Sequence, residues 1–208
     1  MRHAVNIIYK IIEKVNPNQK AVITWDQPVY ALGKQLQWKI STEFGDTIWM
    51  LGPLHIEQMF LKLIGDWLEK SGWVEVYDYA NINSNGKADS FLTCSGGAGI
   101  KRARYAHQLT LAALTTLTKE AFDDQNEFST YSAWKADLEN RSVTAKYWFT
   151  VMDLEALFLT CLISLRLSDS DLLLRSFEQM LPWIAAYHIY YFRWVWCFWR
   201  ICDVYQNL

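Results

Sequence analysis

Ala21-Val22-Ile23-Thr24-Trp25-Asp26-Gln27-Pro28 is the stretch on which the fold turns. Its first five residues are β-rich and continuously apolar, a pattern that suits a short strand buried on both faces. Asp26 then breaks the run, and Pro28 two residues on fits the first turn of a helix. From Val29 to Ile40 the apolar residues Tyr30, Leu32, Leu36 and Ile40 recur at helical spacing. A second apolar run, Thr47-Ile48-Trp49-Met50-Leu51, stops at Gly52-Pro53, and a helix follows from about Leu54 to Lys70. Two buried strands, each followed by a helix, predict a βαβα unit with a parallel strand pair.

Ahead of this unit, Ala4, Val5, Ile8, Ile11, Ile12 and Val15 predict an amphipathic helix that ends near Asn16-Pro17-Asn18. Beyond Gly72 no further strand is expected. Helices are predicted at Ala88–Leu92, Ile100–Phe122, Tyr131–Asn140, Ala145–Leu167, Asp169–Ala186 and Ile189–Tyr205, with Asn81–Lys87 as a polar loop. Ser168-Asp169-Ser170-Asp171 supplies an N-cap signal ahead of an apolar-periodic run. The expected class is therefore α/β but predominantly α-helical, with a short two-stranded parallel remnant beside a large helical region. Two strands do not make an independently stable sheet. The pattern divides into a βα part over 1–72, a helical insertion over 73–144, and helices over 145–208 that pack back on the core.

Hydrophobic residues make up 51% of the 208 residues and charged residues 20%, which excludes a disordered chain. The net charge of −2 leaves nucleic-acid binding to a local patch. Cys94, Cys161, Cys197 and Cys202 form no CxxC pair and no zinc spacing, as expected of a reducing compartment. Arg2, Lys10, Glu13 and Lys14 interrupt any secretory h-region. Ile189–Cys202 contains Arg193 and Arg200 and falls short of the roughly 20 apolar residues of a membrane helix. The expectation is a soluble intracellular protein, nuclear or cytoplasmic, with no membrane partner.

Asp26 stands at the carboxyl end of a strand, where open α/β sheets place their ligands. A carboxylate there can hold a metal ion or cap the next helix, and both readings stay open. Glu57 opens the helix after the second strand on an otherwise apolar stripe, so it needs a partner or the helix dipole. His55 lies on a mostly polar face beside it. Glu155 sits mid-helix among Trp148, Val151, Met152, Phe158, Leu159 and Leu162. A buried carboxylate so placed demands a cationic or metal partner. Lys101, Arg102 and Arg104 crowd a helix N-terminus behind Gly96-Gly97-Ala98-Gly99, against the dipole, with His107 one turn on. They await an anion, a phosphate of DNA or one of the buried acids. Trp183–Cys202 is aromatic on every side and is expected to pack internally or to self-associate.

Asp26-Gln27-Pro28-Val29-Tyr30-Ala31-Leu32, Gly52-Pro53-Leu54-His55-Ile56-Glu57, Gly65-Asp66-Trp67-Leu68-Glu69-Lys70-Ser71-Gly72-Trp73, Ala88-Asp89-Ser90-Phe91-Leu92 and Arg102-Ala103-Arg104-Tyr105-Ala106-His107-Gln108, with Tyr147-Trp148 and Arg193-Trp194, together resemble a multicopy group of uncharacterised, transposon-derived animal proteins. The order strand–Asp–helix, strand–His–helix, helical insertion and late helical Glu resembles the RNase H-like DDE transposases. That resemblance implies catalytic roles for Asp26, Glu155 and His55, with Asp26 and Glu155 as ligands of Mg²⁺ and DNA as substrate. The pattern's first acid has no counterpart before Asp26, so the expectation is a truncated, catalytically incomplete transposase fragment. The alternatives are a metal-dependent nuclease or transposase completed by an upstream acid, and a helical protein-interaction module.

Overall fold

In a computed structural model describing residues 1–82, 90, 92–94 and 99–206, the two apolar runs form strands β1 (Val22–Trp25) and β2 (Ile48–Leu51). They pair in parallel, with Val22 opposite Ile48 and Trp25 opposite Leu51. Helix α1 (Arg2–Val15) precedes them, and α2 (Gln27–Lys39) and the short α3 (Ser41–Phe44) connect them. α4 (Pro53–Leu68) and α5 (Trp73–Tyr79) follow. The remaining helices are α6 (Ile100–Asp123), α7 (Tyr131–Arg141), α8 (Val143–Leu167), α9 (Ser170–Tyr187) and α10 (Ile189–Gln206). The predicted class, helix-dominated with a small parallel sheet, is the observed one.

The chain forms two compact units, one of Met1–Ile56 with Leu181–Leu208, the other of Glu57–Met180. In the first, α2 lies on the sheet face that carries Ile23 and Trp49. Gly33 is what admits it, because a Cβ there would come within 2.5 Å of the Trp49 ring. α10 packs along β2 and buries Trp194, Val195 and Phe198, with Tyr30 meeting Trp194 edge-on at 6.2 Å. The aromatic load of the last helix is thus only partly internal, since Trp196 keeps 42% of its surface exposed.

β1 departs from the expected strand. Ile23 is buried, but Val22 is 51% exposed and Thr24 is exposed too, so the strand is buried on one face rather than both. A continuous apolar run cannot distinguish one covered face from two, because the covering layer comes from elsewhere in the chain.

In the second unit α6, α7 and α8 pack together around Leu114, Trp134, Phe149, Val151, Leu154 and Phe158. α8 is long and apolar enough to cross a membrane by composition, yet it packs against α6 and α7. α5 was not anticipated. Its sequence Trp-Val-Glu-Val-Tyr-Asp-Tyr favours β structure. Burial of Trp73 and Tyr77, one turn apart, holds it helical. Of the predicted helix Ala88–Leu92, Ser90 and Leu92 are helical. Its other residues, Gly96-Gly97-Ala98 and most of the Asn81–Lys87 loop lie outside the described residues.

Candidate functional site

Asp26 ends β1 with an extended backbone (φ −66°, ψ 164°) and caps α2, its Oδ1 accepting from the Val29 N–H at 3.2 Å. The carboxylate is otherwise exposed to solvent. His55 lies in the first turn of α4, half-buried, its backbone N–H donating to the Gly52 carbonyl at 3.3 Å. Both belong to the first unit, whereas Glu57, Lys101, Arg102, Arg104, His107 and Glu155 belong to the second.

Inside the second unit the acids and cations meet. Glu57 is 4% exposed and takes a two-pronged ion pair from Arg104, Nε to Oε1 at 2.5 Å and Nη2 to Oε2 at 2.6 Å. Such paired, charge-assisted bonds are the strong kind. The hydrogen bond to Glu57 raises the Arg104 pKa further above its ordinary value. Lys101 and Arg102 lie on the exposed side of α6. The four basic residues therefore do not face one anion, since Arg104 and His107 are each committed to an acid of the same unit.

His107 and Glu155 are both fully buried. Nδ1 of His107 lies 2.8 and 2.9 Å from the two Glu155 oxygens, and Nε2 lies 2.9 Å from the Leu92 carbonyl. A carbonyl only accepts, so Nε2 carries a hydrogen. Nδ1 then either donates to the carboxylate or accepts from its protonated form, and in both cases the pair holds one proton between two acceptors. Burial works to lower the His107 pKa, but the Glu155 charge, its hydrogen bond and the Leu92 carbonyl together raise it. Burial raises Glu155, with His107 pulling the other way. Both directions describe a pair that keeps its proton to higher pH than either group would alone.

One turn along α6, Thr110 accepts from Trp73 Nε1 at 3.0 Å, and its hydroxyl lies 2.6 Å from that of Tyr77. Tyr77 also donates to the Ala106 carbonyl at 2.5 Å, and burial pushes its phenol up to about 12. The sequence carries no motif for this polar cluster, because Trp73 and Tyr77 lie 37 and 33 residues from Thr110. An apolar cleft of about 360 Å³, with Trp73, Trp134, Trp148, Phe149 and Met152 among its lining, adds no chemistry. The hydroxyl of Thr118 at that cleft already donates to the Leu114 carbonyl at 2.8 Å.

A divalent cation of the kind a DDE site uses does not fit these residues. Both Glu155 oxygens face His107 out of reach of solvent. Among the described residues no three His, Cys, Asp or Glu side chains cluster to hold a metal.

A family model described as a domain of unknown function (DUF8702) matches residues 2–136, more than half of the chain, and the protein belongs to that family. Glu155 lies beyond the matched segment. No curated protein and no solved structure matches the chain.

Proposed function

We propose that this member of the DUF8702 family is a transposon-derived relative of the DDE transposases that does not itself cut or join DNA. The reading rests on Glu155, the residue that corresponds to the last acid of the transposase pattern. A carboxylate that serves a two-metal mechanism presents its oxygens to the ions and to water. Glu155 has 0% exposure and turns both oxygens toward His107. Releasing it would leave His107 Nδ1 without its acid in an apolar interior, with only the Nε2 bond to Leu92 remaining, a large destabilisation. Glu57 is held in the same manner by Arg104. Glu57 with Arg104 and Glu155 with His107 thus act as internal fastenings of the helical unit.

The test is incubation of the purified chain with single- and double-stranded DNA in Mg²⁺ or Mn²⁺. The expected result is neither cleavage nor strand transfer. Metal-dependent cleavage that is lost in both Asp26→Asn and Glu155→Gln, with folding verified by circular dichroism, would overturn the proposal in favour of a nuclease or transposase.

A further inference from the structure

A strand in a parallel pair turns the N–H and C=O of alternate residues to opposite edges. The Ile48 N–H donates to the Ala21 carbonyl at 2.8 Å and the Gly52 N–H to the Trp25 carbonyl at 2.7 Å. Ala21, Ile23 and Trp25 therefore face β2, and Val22 and Thr24 point their backbone groups away from it. Among the described residues no strand lies on that outer edge. The side chains of Val22 and Thr24, on the uncovered face of the sheet, are exposed as well. The other side of the sheet is different. Trp49 and Leu51, whose backbone groups turn away from β1, are each 1% exposed, and α10 packs along β2. Among the described residues the sheet's open edge is the outer side of β1.

Open edges are templates for another strand, and natural proteins usually blunt them with bulges, proline or charges pointing inward. β1 has none of these between Val22 and Trp25. Its charges stand at the two ends instead: Lys20 on one side, Asp26 on the other. Lys20 lies 3.9 Å from Asp46, both side chains exposed, and the Asp26 carboxylate is exposed.

We infer that β1 is a self-recognition edge, where two copies of the chain join antiparallel into a four-stranded sheet around a two-fold axis at Ile23. Val22 of one chain then lies opposite Thr24 of the partner subunit. Each chain offers two outward donors and two outward acceptors, and this register pairs all of them. Counting two residues further along each strand brings Lys20 opposite Asp26 of the partner subunit, and Asp26 opposite the partner's Lys20. The charges match at both ends. Moving one strand by two residues in either direction loses both the charge match and part of the hydrogen bonding. Opposite charges across antiparallel strands favour a register, and like charges oppose it. The extended backbone of Asp26 carries the strand direction to that point. The symmetry is closed, because β2 offers no second open edge, so association stops at two. The α2 helices of both copies lie on the same face of the joined sheet.

Sedimentation across a hundredfold dilution tests the inference, with the full chain. The expected result is a reversible monomer–dimer equilibrium that weakens as salt rises. Thr24→Pro removes an N–H that points away from β2, at a position where edge strands tolerate proline. It should weaken the dimer at least tenfold. The charges give an independent arm. Lys20→Glu and Asp26→Lys chains should each associate poorly alone, facing like charges at both ends, and should pair with each other when mixed. A Thr24→Pro chain that fails to fold leaves that arm to decide. A wild-type monomer at every concentration would overturn the inference. So would a dimer indifferent to Thr24→Pro and to both charge changes, as an interface through the aromatic face of α10 would give.

Discussion

The buried pair of His107 and Glu155 ties the stability of the second unit to pH. Unfolded, His107 has an ordinary pKa near 6.5; folded, its pKa is raised. The stability it contributes is complete below about pH 6.5 and is lost as pH climbs through the folded value. Beyond that point a bare imidazole nitrogen and a carboxylate face each other across 2.8 Å, both acceptors. Urea unfolding followed from pH 6 upward should therefore show falling stability, and Glu155→Gln should flatten the decline. An unchanged slope in that variant would place the titration elsewhere. His107→Ala, which leaves Glu155 buried alone, should cost about 3–5 kcal/mol, whereas a paired change to apolar residues should recover most of it. The same reasoning applied to Arg104→Ala, which strands Glu57 at 3% side-chain exposure, predicts a loss of about 3 kcal/mol by chemical denaturation. The need of Glu57 and Glu155 for partners was legible from their apolar helical neighbours. Which cation serves which acid was not, because Arg104 lies 47 residues from Glu57 and His107 lies 48 from Glu155.

Two close approaches decide how the elements pack, and each passes over a glycine. A Cβ at Gly65 in α4 would lie 2.8 Å from the Leu92 carbonyl carbon and oxygen and 2.9 Å from Thr93 Cα, all backbone atoms. Backbone cannot rotate out of the way as a side chain can. Gly65→Ala should therefore cost about 1–3 kcal/mol and lower the thermal midpoint. It should also disturb His107, whose Nε2 donates to that same Leu92 carbonyl. A Gly65→Ala chain as stable as the wild type would show that the segment at Leu92 yields. Helices α1, α2, α4 and α6 to α10 follow apolar periodicity, so their existence could be read from the chain. α5 could not be, because its β-branched residues favour a strand and only Trp73 and Tyr77, docking one turn apart, override them.

At the scale of the molecule, the proposed absence of metal chemistry has a thermodynamic signature. A ligand present at a hundredfold over its dissociation constant adds about 2.7 kcal/mol to folding stability. Millimolar Mg²⁺ should therefore leave the unfolding midpoint where chelator leaves it, because Glu155 and Glu57 are already taken by His107 and Arg104. A midpoint raised by Mg²⁺ and returned by Asp26→Asn would reveal a cation site at the end of β1. Residues 181–208 join residues 1–56 in one compact unit, and 57–180 form the other. Linear segmentation cannot express a unit assembled from both ends of the chain.

Short β-branched and aromatic runs specify the two strands, 3.6-residue periodicity specifies the helices, and apolar neighbours leave Glu57 and Glu155 in need of partners, while Asp26 stays open between a cap and a ligand. These follow from interactions within a few residues, which spacing encodes directly. Packing between distant parts of the chain settles the rest. It chose Arg104 for Glu57 and His107 for Glu155, made α5 a helix against its propensity, and covered one face of β1 while leaving the other open. Each of those outcomes depends on residues distant in the chain meeting in space, and a carboxylate, a β-branched run or a strand edge is compatible with more than one partner until packing selects it.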